Sequence, residues 1–165
     1  MKKLIILLFG LIVISCSSGS GNKDNNEKSE KEEIEIIVTN EFTKFIDDLW
    51  NDEDYNPVKF KVEQEKFKGK WAVLSGEIDW MTEFGSVQLI IKHNEKEFFV
   101  REINANFDFD NPEDIIDFRT GQEIKLKGKY IEGKEDKGIE IDYLYSKYTF
   151  HFKNPQVIEI KTNKL

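Results

Sequence analysis

A single cysteine, Cys16, stands in a chain of 165 residues. It permits no intramolecular disulfide and no thiolate zinc cluster. Histidine is almost as scarce. His93 and His151 lie far apart, which leaves little material for a zinc hydrolase or a His-based triad. No apolar run approaches 18 residues, so no segment reads as a permanent membrane span. Positive charge is in deficit, and a net charge of −8 argues against a partner held by phosphate contacts. Breakers are few as well, with 3 Pro and 10 Gly, while aromatic residues reach 13%. So much Phe, Tyr and Trp can fill a core, so the bulk of the chain is not disordered. Beyond the first fifteen residues about 150 remain, a length that suits one domain.

The amino terminus has the order of an export signal. Lys2 and Lys3 precede an apolar stretch, Leu4 to Ile14, broken only by Gly10. As a helix it would span about 16 Å, roughly half of a bilayer core. Residues 1–15 therefore read as a cleavable signal. The stretch Val13-Ile14-Ser15-Cys16 resembles the lipobox of bacterial lipoproteins. That resemblance implies acylation of the Cys16 thiol, cleavage before it, and a membrane lipid anchor at the cell envelope, facing the periplasm or the exterior. Several acyl chains on one residue make a stable anchor, at about 0.8 kcal/mol per buried methylene. Without Lys2 and Lys3 the chain keeps 22 basic and 32 acidic residues, a charge of −10 that keeps it off anionic headgroups. Residues 16–33 hold the cysteine and then a run with no apolar side chain, which reads as a flexible tether to a domain over 34–165.

Within that domain, Ile34, Ile37, Val38, Phe42, Phe45, Ile46 and Leu49 recur at three and four, predicting a helix from Ile34 to Trp50 that packs on its own domain. Asn56-Pro57 is a helix start, and a short helix is expected to end near Phe67 with Gly69 as its stop. From Trp71 the period becomes two. Ala72, Leu74, Gly76, Ile78 and Trp80 share one face of a first strand; Val87 to Ile91 makes a second, ending in a turn at His93-Asn94-Glu95-Lys96; Phe98 to Ile103 makes a third. Asn111-Pro112 opens a second capped helix that Thr120-Gly121 closes.

Residues 122–131 and 138–145 are expected to pair as a hairpin. Lys127 faces Asp142 and Lys129 faces Glu140 on one surface, while Tyr130 faces Ile139, Leu126 faces Tyr143 and Ile124 faces Tyr145 on the other. A slip by one residue would destroy both patterns. Tyr148, Phe150 and Phe152 alternate, and Val157 to Ile160 forms a last strand past a break at Asn154-Pro155. The fold class is mainly β (α+β). Three strands, a helix and a returning hairpin give the order of a five-stranded OB-fold barrel, with an N-terminal helix and a helix between strands 3 and 4. A split barrel or an open α+β sheet gives the same string.

Two blocks carry a family resemblance. Residues 67–78 (FKGKWAVLSGEI) and 120–129 (TGQEIKLKGK) resemble the paired signatures of the bacterial OB-fold family called "tRNA-anticodon-like". The similarity spans roughly residues 56–160, and residues 138–148 look like an insertion relative to it. It implies an OB barrel, common on exported or lipid-anchored proteins. It implies no catalytic residues and no tRNA binding.

Other clusters have ordinary readings. Lys59, Lys61, Lys66, Lys68 and Lys70, near Trp71, Trp80 and Phe84, could form a groove for single strands, but Glu63 and Glu65 interrupt them and the domain is acidic. Asp108 and Asp110 begin a calcium-like pattern without the glycine it needs, and capping by Asn111 explains them better. Glu77 and Asp79 share a strand face, as surface carboxylates often do. No catalytic residue, cofactor or structural metal is assigned. The expected function is a lipid-anchored, non-catalytic binding or interaction module whose partner is an envelope protein, a peptide or a glycan. Trp80 and Phe84, beside the second and third strands, are the candidate ligand contacts. The alternatives are a single-stranded nucleic-acid or oligosaccharide binder and an envelope hydrolase or metal-binding protein.

Overall fold

The computed structural model describes residues 35–52, 55–96, 99–140 and 143–161. The expected signal, Cys16, the tether, Ile34 and Asp142 lie outside the described residues. The fold is mainly β, with two α-helices: α1 (Thr39–Asn51), α2 (Pro57–Gln64), β1 (Trp71–Met81), β2 (Ser86–Lys96), β3 (Phe99–Asp108), β4 (Glu123–Glu140) and β5 (Tyr143–Ile160). The strands pair in the order β1-β2-β3-β5-β4, and β4 returns to β1, so the five ladders close into a ring. Among the ladders of the described strands, β3–β5 is parallel and the other four are antiparallel.

The helical stripe forms as its spacing predicts. Phe42, Phe45, Ile46 and Leu49 are buried along α1. The helix starts later than expected, because residues 36–38 pair with the start of β1: Val38 N–H donates to the Trp71 carbonyl at 2.8 Å, and Trp71 N–H to that of Ile36 at 2.8 Å. Thr39 Oγ1 accepts from Val73 N–H at 3.0 Å, which continues that edge. At the other end the buried Arg101 guanidinium donates to the carbonyls of Leu49 and Asp52, supplying a cation and donors where a helix leaves carbonyls unpaired. The Asn56-Pro57 start is realised: Asn56 Oδ1 accepts from Val58 N–H at 2.8 Å, and α2 runs into a 3-10 turn over Glu65–Phe67 that stops at Gly69, φ 76°.

Four expectations need correction. The helix between β3 and β4 is one 3-10 turn, Pro112–Ile115; Asn111 caps it, but only Ile115 and then Phe118 bury, too little apolar surface to extend it. β2 does not turn at residues 93–96 but continues to Lys96, which pairs with Phe99. Asn154 (φ 52°) with Pro155 is no break; it makes a bulge inside a continuous β5. The hairpin register is the largest difference. Residues 122–131 do not pair with 138–145. Tyr145 lies opposite Gly138 rather than Ile124, a slip of fourteen, and β4 and β5 form one long hairpin. Tyr130 thereby faces Phe152. The bulges along this ladder also change which face some side chains take: Tyr145, expected inside with Ile124, shares the outer face with Lys147, and Ile139, expected inside with Tyr130, is 81% exposed.

Inside the ring, Phe107 stacks on Phe152 at 4.8 Å, and Phe42 of α1 reaches Phe67, Tyr130, Phe150 and Phe152 at 5.0 to 5.6 Å. Gly76 lies where β1 meets β2; a Cβ there would stand 2.5 Å from the Ile90 carbonyl oxygen. At the end where β3 finishes and β4 begins, Phe109, Ile115 and Phe118 complete the core.

Candidate functional site

Because alternate strand residues point to opposite faces, burying Ile103, Ala105 and Phe107 of β3 sends Glu102, Asn104, Asn106 and Asp108 outward. Their neighbours extend the pattern into rows across the sheet. Trp80, Gln88, Asn106, His151 and Glu132 are successive partners on β1, β2, β3, β5 and β4. Ile90, Asn104, Thr149 and Lys134 form the next row, and His93, Glu102, Lys147 and Asp136 the one after. Two bulges set this arrangement. The register shifts between Ile78 and Trp80, so Trp80 leaves the inner face that simple alternation assigns to it. It shifts again between Ile90 and Lys92, so Lys92 turns inward to an ion pair with Asp47 of α1 at 2.6 Å while His93 turns outward.

Glu102 is the hub of the face. It accepts from Asn104 Nδ2 at 3.1 Å and lies 3.2 Å from both Lys147 Nζ and His93 Nδ1. Burial alone would raise its carboxyl, but the Asn104 hydrogen bond and the Lys147 and His93 charges outweigh that and hold it below the usual carboxylate range. Asn104 is fully buried; its Nδ2 is committed to Glu102, and its Oδ1 has no partner. Asn106 Oδ1 is likewise buried and unpaired. Gln88 is buried too, and its Nε2 donates to Asp79 at 2.8 Å, which leaves Oε1 as an acceptor. Burial and the nearby Lys134 charge hold the His151 imidazole below its ordinary value, against the opposing pull of Glu132 and Asp108. It is therefore neutral at pH 7. Carboxylates and lysines alternate across the rows, as Glu132–Lys134 at 3.1 Å and Glu102–Lys147 at 3.2 Å illustrate, so the face carries little net charge.

The two candidate ligand contacts separate. Trp80 sits at the edge of this face, 38% exposed, while Phe84 is 78% exposed on the β1–β2 turn and belongs to none of the rows. Cys16 lies outside the described residues. The two histidines, 58 positions apart, come to one face. The lysine cluster divides: Lys59 lies over the Tyr55 ring at 4.5 Å and Lys68 pairs with Glu65 at 3.6 Å, while Lys66 and Lys70 line one groove beside α1. Asp108 accepts from Ser86 Oγ at 2.8 Å rather than opening a calcium loop. Among the described residues no group of three His, Cys, Asp or Glu side chains is placed to hold a metal. Sequence reading missed Gln88, Asn104 and Asn106. The available signal was their alternation with buried apolar residues, which marks them as outward but not as buried.

Grooves border or lie apart from this face. One of about 320 Å³ opens where β1 and β2 part and takes in Ile90 and His93 of the rows, with Glu77, Lys92, Glu123 and Glu159. One of about 490 Å³ runs between α1 and the α2 segment past Lys44, Lys66 and Lys70. A shallow one of about 530 Å³ exposes Phe99, Ile139 and Leu144 at the far end of the sheet. Compared with protein-family models, with curated proteins and with solved structures, the chain matches none.

Proposed function

We propose that this chain is a bacterial lipoprotein whose folded part is an OB-like barrel of the kind its two signature blocks resemble, and that it works as a non-catalytic binding module at the cell envelope. The observation that carries the reading is the strand order. A ring in the order β1-β2-β3-β5-β4 with one parallel ladder, β3 on β5, is the five-stranded Greek-key arrangement of that barrel. The ligand surface is the outer face of β1, β2, β3 and β5, where Trp80 stands beside the polar rows. Its charged groups largely serve one another, and Glu102, with three partners, is engaged as a structural anion, which favours binding over catalysis.

The address is tested by labelling cells with an alkyne fatty acid. The chain should take the label and Cys16→Ala should not; equal label in both, or none in either, removes the anchor. The fold is tested by an experimental structure, in which an antiparallel or absent β3–β5 ladder would remove the barrel.

A further inference from the structure

We infer that the outer face recognises a neutral, hydroxyl-rich chain, an oligosaccharide, laid from Trp80 across Gln88 and Asn106 to His151, with Asn104 as a deeper contact. The inference rests on the proposed ligand face and gives it a ligand class.

The side-chain chemistry supports it from several sides. The Glu102 and Asp79 carboxylates fix the amide orientations of Asn104 and Gln88, because only an NH₂ group can face an acceptor. The carbonyl end of each amide is therefore left as an acceptor. Asn104 Oδ1 and Asn106 Oδ1 are buried with no donor, an unusual condition on a folded protein and one that a ligand donor would relieve. Neutral His151 adds one donor and one acceptor. A hydroxyl group both donates and accepts, so a polyhydroxylated ligand matches this mixture. Phosphate brings only acceptors, which the unpaired amide oxygens cannot use, and the lysines that would attract it, Lys134 and Lys147, are already paired with Glu132 and Glu102. Trp80, 38% exposed at the end of the row, offers an aromatic plane for the apolar face of a sugar ring. Occupancy requires the long Lys134 and Lys147 side chains, which stand beside Asn104 in register, to swing aside.

The test uses the full chain in detergent and four probes: neutral tetrasaccharides of glucose, mannose and N-acetylglucosamine, and a dT12 oligonucleotide. Binding is read by calorimetry and by protection of tryptophan fluorescence from acrylamide. At least one sugar should bind saturably, with the oligonucleotide silent. Trp80→Ala and Asn106→Ala should each weaken sugar binding at least tenfold, with far-UV dichroism unchanged, and Trp80→Phe should restore part of the loss. Oligonucleotide binding that Trp80→Ala abolishes, with no sugar binding, overturns the ligand class and leaves the face in place. Sugar binding that neither variant weakens overturns the face. Silence from every sugar overturns the inference.

Discussion

Replacing Phe42 by alanine is the sharpest test of how the domain is held together. Phe42 has no exposed surface and touches five other rings, with centroids 5.0 to 6.1 Å away. Removing a buried Phe costs about 3–5 kcal/mol, and the cost depends on whether the surroundings can collapse. Here they cannot easily do so. Phe67 is held by the 3-10 turn, Tyr130 by β4, and Phe150 and Phe152 by β5. None can move inward without taking its element along, so the upper part of the range, about 4–5 kcal/mol, is expected. For a domain of about 130 residues each kcal/mol moves the melting temperature roughly 3–5 °C, so the midpoint should fall by about 12–25 °C. Urea unfolding followed by near-UV dichroism measures it, with Val58→Ala, at a position 69% exposed, as a control expected within about 0.5 kcal/mol of the parent. A loss below about 1.5 kcal/mol, or a separate early transition for α1, would show that α1 is an appendage rather than part of the core.

Three further outcomes follow from particular contacts. Gln64 Oε1 accepts from Tyr130 Oη–H at 2.7 Å and from Gly133 N–H at 2.6 Å, so Gln64→Leu strands two buried donors and should cost about 2–4 kcal/mol. Adding Tyr130→Phe should recover part of that, and strict additivity in the cycle would refute the shared acceptor. Gly76→Ala places a methyl 2.5 Å from the Ile90 oxygen, on backbone that cannot yield, and should lower stability by about 1–3 kcal/mol in the same urea assay; a neutral result would mean that β1 and β2 are further apart. The folded His151 imidazole resists protonation below its ordinary 6.5, so its contribution to stability is full above that pH and is lost as pH falls through the folded value. His151→Gln should flatten that part of the stability curve, and an imidazole NMR titration at or above 6.5 would refute the shift.

What could be read from the residue order divides along physical lines. The Phe42–Leu49 stripe and the Asn56-Pro57 cap were legible, because helix spacing and capping are local. So was the sorting of strand residues into faces as far as Tyr130, Trp80 apart. The β4–β5 register was not, and with it went the faces of Ile139 and Tyr145. Alternation leaves no mark of where a bulge falls, so the choice falls to tertiary contacts. Tyr130 belongs with Phe152 because Phe42 seats both. Lys127, expected to face Asp142, is instead paired with Glu35, 92 positions away in the chain, and lies over Trp71. The candidate face was half legible. Trp80 was marked, but its departure from the inner face needs the bulge at Asp79, which alternation alone does not reveal. Asn104 and Asn106 look like ordinary solvent-facing residues until three strands are set side by side.

The bulge near Ile91 links the two halves of the molecule. Below it, β2 is shared between β1 and β3; beyond it, β2 keeps only β3, and the side that β1 vacates is faced by α1. A helix whose first side chain, Thr39, bonds β1, and which salt-bridges β2, is capped from β3 and packs aromatic rings on β4 and β5, touches every strand of the ring. The extra residue at the bulge lets adjacent side chains serve opposite faces: Lys92 reaches inward to Asp47 of that helix, and His93 reaches outward to Glu102. Seating of the helix and placement of the polar rows thus depend on the same few residues of backbone. A ligand that moves Lys147 off Glu102 acts on a strand segment whose other face holds α1. The face is consequently anchored by the core it covers, which is the condition for a row of buried amides to keep its unpaired oxygens in place instead of relaxing into one another.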